Sequence, residues 1–151
     1  MAGKKAKEEE RRAIAQQKLD RRGRVDELGE SAVKLIERAE SASKRVMETE
    51  AASMGWLGDP DELDFSPDLT MITTNLKARA QIRKVAAELK ALPDHSDADR
   101  ERLDAAKRSA GKLWQQANTR AKLLEECAAR ARRIDESLKQ ERERARDRRA
   151  A

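Results

Sequence analysis

The sequence predicts an all-α chain, drawn out as an elongated antiparallel helical hairpin or three-helix coiled-coil bundle with projecting charged helix ends. Three observations point there. First, apolar or small residues recur at alternating steps of three and four along 103–138: Leu103, Ala106, Ala110, Leu113, Ala117, Leu124, Cys127, Ala131, Ile134 and Leu138, with Arg120 in the one skipped slot. That is heptad spacing held over about five repeats. Second, charged residues make up 42% of the chain, against a typical share of about 25%. Aromatic residues amount to 2%, namely Trp56, Trp114 and Phe65. Such a composition cannot fill a wide core, but a heptad seam needs only a narrow one. Third, Pro93-Asp94-His95-Ser96 has the length and chemistry of a tight turn between antiparallel helices. At 151 residues the chain has the length of one domain.

Residues 1–24 form a basic charged arm, with nine basic and four acidic side chains and a net of +5. Only Ile14 and Leu19 could anchor a helix face there, so the arm is expected to be frayed or dependent on a partner.

Helix 1 is expected over 25–54. Val25, Leu28, Ala32, Leu35, Ala39, Ala42 and Val46 repeat the alternating steps, and Ile36 and Met47 widen the stripe, as in a bundle helix. Gly23 and Gly29 each weaken its start by about 1 kcal/mol relative to Ala. Gly55 and Gly58 end it.

An acidic connector with Trp56 and Phe65 occupies 55–67 and contains no base. Asp59-Pro60-Asp61-Glu62 has the form of a helix start, but Ser66-Pro67 follows so soon that only a short turn fits. Trp56, Leu57, Leu63 and Phe65 are its apolar anchors. They either cap the helical core or make an acidic recognition loop.

Helix 2 is expected over 68–92, with Ser66 as N-cap and Pro67 at the first position. Leu69, Ile72 and Leu76 form one stripe; Ile82, Val85, Leu89 and Leu92 form another, offset by a skip. Two stripes suit a helix with two neighbours. After the turn at 93–96, Ser96 and Asp99 resemble a capping box that opens helix 3 over 97–151. Beyond Leu138 no apolar stripe remains, and alternating charge can keep a solvated helix there.

Helix 2 covers only half of helix 3, so two arrangements compete. Helix 1 folds back beside both, leaving the distal half of helix 3 unmatched. Otherwise it packs on that distal half and completes one long rod. The two stripes of helix 2 favour the first.

Chemistry-bearing constellations are scarce. Cys127 is the only cysteine and sits on the seam, as a small buried hydrophobe or, in the sharper view, an intersubunit thiol. His95 is the only histidine and lies in a turn, with no nucleophile to serve and no ligand cluster to join. Trp114 either packs beside the seam or, near Arg108 and Lys112, forms a stacking platform. No enzyme, cofactor, metal or small-molecule substrate is expected. No secretory segment or membrane span is predicted, because residues 1–20 are too charged and no long apolar run occurs. A cytoplasmic location follows by default.

The function expected is that of a non-enzymatic interaction protein, a scaffold, adaptor or assembly factor. It binds itself or a protein partner through its seams, with Leu123, Leu124, Ala131, Ile134 and Leu138 as the contact stripe and Trp56 and Phe65 as secondary anchors. The alternative is a nucleic-acid-associated protein. Its phosphate contacts would be Lys4, Lys5, Arg21, Arg22 and Arg24 of the arm, and Lys77, Arg79, Arg83, Lys84, Lys107 and Arg108 of helices 2 and 3. Residues 105–124 carry five bases and no acid.

Overall fold

The computed structural model describes residues 2–150, which form five helices, with no β-strand among the described residues. They are α1 (Ala2–Leu28), α2 (Glu30–Met47), α3 (Glu50–Ser53), α4 (Ser66–Lys90) and α5 (Asp97–Ala150). The helices pack against one another. No described helix is long and apolar enough to cross a membrane.

The charged arm is helical from Ala2 onward. Residues 3–20 are all exposed, so this helix buries nothing along most of its length. Its Ala, Lys, Glu, Gln and Arg are strong helix formers, and Gly23 alone does not interrupt them. Its C-terminal end is tied down instead. Arg21 donates to Glu30 at 2.9 Å and to Glu37 at 3.0 Å, and Arg24 lies 3.6 Å from Glu40. The break falls at Gly29, whose φ of 93° and ψ of 156° are conformations that side-chain-bearing residues rarely adopt. Its N–H closes α1 on the Val25 carbonyl at 2.8 Å, and its own carbonyl accepts from Val33 at 3.1 Å to open α2. The glycine expected merely to weaken a helix is the joint between two.

α2 buries the stripe that its spacing predicts: Ala32, Leu35, Ala39, Ala42 and Val46, with Leu28 of α1 just before it. Val33, Ile36 and Ser43 broaden the buried face, whereas Met47 points outward. The broad face lets α2 touch both α4 and α5. Thr49 then caps α3, accepting from Ala52 N–H at 3.2 Å. The first amides of α3 are also held from α5: Asp135 accepts from Ala51 at 2.8 Å and from Glu50 at 3.2 Å. Arg142 grips the Glu50 carboxylate with two bonds of 2.8 and 3.0 Å. Gly55, at φ 82°, ends α3 with a glycine C-cap, in which Trp56 N–H reaches Ala51 O at 3.0 Å.

The connector makes the single turn that its chemistry permits, with Asp59 O accepting from Leu63 at 3.1 Å. Leu57, Leu63 and Phe65 pack against the core, whereas Trp56 is 60% exposed. Ser66 is the first residue of α4 and not its cap. Asp64, two residues earlier, accepts the Ser66 N–H at 2.9 Å, a local bond that a short carboxylate makes readily. At the next turn Ser96 and Asp99 satisfy each other's N–H reciprocally, at 3.0 and 3.1 Å.

Cross-helix bonds set the directions. Asp68 meets Arg120 at 2.9 Å, Asn75 meets Gln116 at 3.4 Å, and Arg79 lies over Trp114, so α4 and α5 run oppositely. Arg38 pairs with Glu125, and farther along Glu50 pairs with Arg142, so α2 and α3 run in the same direction as α5. The core lies where the three meet: Leu35 and Ile36 against Ile72 and Leu76 and the small side chains of Ala117 and Ala121. On α5 the inner face passes through Ala117, Ala121, Leu124, Ala128 and Ala131. Ala121 takes the slot that Arg120 seemed to leave empty, and Arg120 and Cys127 sit at the edge, half-buried.

The stagger falls between the two expected arrangements. α2 shares α5 with α4 around Ala117 and Leu124, then continues with α3 to Asp135 and Arg142. The distal stripe of α5 is therefore covered within the chain at Leu124 and Ala131 and partly covered at Ile134 and Leu138. The stretch left without a third helix lies at the other end, where α4 runs toward Lys90 beside the start of α5.

Candidate functional site

Two helical faces define the site. On α4, positions 72, 76, 79, 83, 86 and 90 follow steps of four and three; on α5, positions 103, 107, 110, 114, 117, 121 and 124 do the same. These are continuous faces. α2 fills the groove between them at Ile72, Leu76, Ala117, Ala121 and Leu124. The end of α1, at Val25 and Leu28, lies against α4 near Lys77 and Ala80, and beyond it the groove continues uncovered.

The uncovered part has a volume of about 520 Å³. Ile82, Ala86, Leu103, Ala106, Ala110 and Trp114 give it an apolar floor, and Gly111 leaves room on one wall. Arg79, Arg83, Lys90 and Lys107 form its rim, and no carboxylate lines it. The Arg79 guanidinium sits 4.6 Å from the centre of the Trp114 ring, a cation–π distance. Burial pulls Arg79 down from its ordinary pKa, and the neighbouring Arg83 charge adds to that pull.

Five cations that reach between packed helices meet acids: Arg21 with Glu37, Arg24 with Glu40, Arg38 with Glu125, Arg120 with Asp68, Arg142 with Glu50. Among the described residues, none of the four rim cations has such a mate. Apolar floor and unmatched rim together suit an amphipathic, acidic ligand.

The residues singled out from sequence scatter. Leu124 is buried in the core with α2, Ala131 is buried, and Ile134, Leu138 and Phe65 are half-buried. Leu123 is 54% exposed and faces away from the inner stripe. Of the basic set, Arg79, Arg83 and Lys107 converge on the groove. Lys77 and Lys84 lie instead beside the end of α1, near Val25 and Gly29. Arg21 and Arg24 are occupied by carboxylates, and Lys4, Lys5, Arg22 and Arg108 are exposed elsewhere. Arg21 holds Glu37 below the ordinary carboxylate range through their hydrogen bond, while Glu37 and Glu30 raise Arg21.

Sequence reasoning missed the groove's apolar members Ile82, Ala86 and Ala106 as a site, together with Lys90 and Gly111. A signal for them existed: the apolar face of α5 starts at Leu103, well before the stretch that a third helix of the length of α2 can cover. Among the described residues no group of three or more His, Cys, Asp or Glu could hold a metal ion. Comparison with protein-family models, with curated proteins and with solved structures finds no match to this chain.

Proposed function

We propose that this chain is a non-enzymatic helical interaction protein, a scaffold or adaptor that binds protein helices or loops through seams of coiled-coil type, and that the open α4–α5 groove is its docking surface. One observation carries this reading: the groove continues the same faces that α2 fills, yet its apolar floor and four rim cations are left without a mate. An apolar strip with a rim of one charge sign is the composition of a protein–protein contact.

Gly111→Leu tests it. A Cβ built at Gly111 meets nothing within 4 Å, so this wall of the groove has open space for a larger side chain to enter. The immobilised wild-type chain is expected to retain a bound protein that Gly111→Leu loses and Val85→Leu, on exposed α4 surface outside the groove, keeps. Identical retention by both variants would refute the reading.

A second reading, nucleic-acid association, draws on one observation: Arg79, Arg83 and Lys107 share a groove with Trp114. Phosphate contacts of that kind weaken steeply with salt. Fluorescence anisotropy with a labelled RNA or duplex at low salt decides it. Absence of binding, or binding unchanged by Arg83→Glu with Lys107→Glu, ends that reading.

A further inference from the structure

We infer that the occupant of the α4–α5 groove is the acidic connector of a second copy of this chain, with Trp56 as the inserted side chain. The inference rests on the reading of that groove as a docking surface and names what docks there.

The chain itself displays the complementary patch. Within 55–67, Asp59, Asp61, Glu62 and Asp64 are exposed acids with no base among them. Beside them Trp56 is 60% exposed and Met54 57% exposed. A large aromatic side chain held out in water next to a cluster of one charge sign is what a groove of apolar floor and opposite charge recognises. Trp is enriched among residues that dominate binding energy.

The Trp56 backbone is not loose. It sits between Gly55 and Gly58, both in the left-handed region at φ 82° and 111°, and its N–H is bonded to Ala51 O at 3.0 Å. That frame is set before any encounter, which lowers the ordering cost of binding.

The connector cannot serve its own groove. Leu57, Leu63 and Phe65 pin it to the core, and it runs directly into α4 at Ser66. The groove begins around Arg79, about 20 Å farther along α4 at the helical rise. A connector seated in this groove therefore comes from a second copy. Each copy carries one connector and one groove, so two copies related by a twofold axis can make both contacts at once, closing as a dimer. α1 of a second copy is the poorer occupant, since residues 1–24 carry a net +5 toward a cationic rim.

Sedimentation velocity of the full chain over a concentration series, at low and high salt, tests the inference. The expected result is a reversible dimer that weakens with salt, since exposed ion pairs are screened. Trp56→Ala should raise its dissociation constant at least about tenfold, the effect of removing a binding hot spot. Gly111→Leu should do the same. Arg83→Glu with Lys107→Glu should abolish association, and adding Asp59→Lys with Asp61→Lys in the same chain should restore it. A chain that stays monomeric at every concentration overturns the inference. So does a dimer indifferent to Trp56→Ala. If a different protein is retained by the wild type, lost with Gly111→Leu and kept with Trp56→Ala, the second copy is wrong as occupant but the groove stands. If Gly111→Leu changes no association of any kind, the groove itself fails as a docking surface.

Discussion

Gly29 and Asp135 are the two residues that decide where α2 lies. Gly29, at φ 93°, lets α1 end and α2 begin within one residue. A β-carbon there is strained whatever the free space around it. Gly29→Ala is expected to destabilise the chain by about 1–3 kcal/mol, the cost of holding a side-chain-bearing residue in that region. A lower urea midpoint with an unchanged slope would show it, and no loss of stability would contradict it. Asp135 acts at the opposite end of α2, where its carboxylate accepts two α3 amides from across the helix interface. Asp135→Ala should cost about 1–2 kcal/mol, as the loss of a helix N-cap does. Urea unfolding measures it, and a change within error would mean that α3 is held without α5. Neither role is legible in the sequence. A glycine inside a helical pattern reads as a weak spot, and an Asp in a charged helix reads as a solvated side chain. Both roles arise from relations between distant segments. The Ser96 and Asp99 caps, by contrast, are local, and their spacing alone announces them.

At the scale of elements, the helices follow from patterns and the stagger follows from clamps. The alternating stripe over 103–138 is visible because it lies within one helix, and so is the matching stripe of α2. Where the pattern seemed to skip at Arg120, the helix turns one position and buries Ala121, so that Arg120 can reach Asp68. A list of spacings cannot show that exchange, because its reason is a partner on α4. The charged arm is held at one end only. It buries nothing over 3–20, and its end is held by Arg21 and Arg24 against the acids of α2. This clamp has a pH dependence. Glu37 is held below its ordinary value of 4.5 by Arg21, so its contribution is fully present above that value and is lost as the pH falls through the lowered one. Acid titration followed by circular dichroism is expected to show a transition below the ordinary carboxylate range that Glu37→Gln diminishes. An identical acid transition in the variant would remove Glu37 from the account.

For the whole molecule, charge and coverage are arranged together. The net charge is +5, but the groove rim is cationic and the connector anionic, so the molecule presents two opposed patches and not one uniform field. The unmatched part of the α5 seam was expected beyond Leu123; it lies instead between Leu103 and Trp114, because α2 starts beside α4 and runs toward the distal end of α5. The existence of an uncovered stretch was legible from length alone, since α5 has 54 residues against 25 in α4 and 18 in α2. Which end it occupies was not, because that depends on Gly29 and Asp135. The most direct measurement is photo-crosslinking from inside the groove, with a photoreactive phenylalanine in place of Ala106 and, as control, in place of Val85. Position 106 is expected to link to a protein segment, with peptides from 55–64 of a second copy prominent, while position 85 does not. No link from 106, or equal links from both positions, would contradict it.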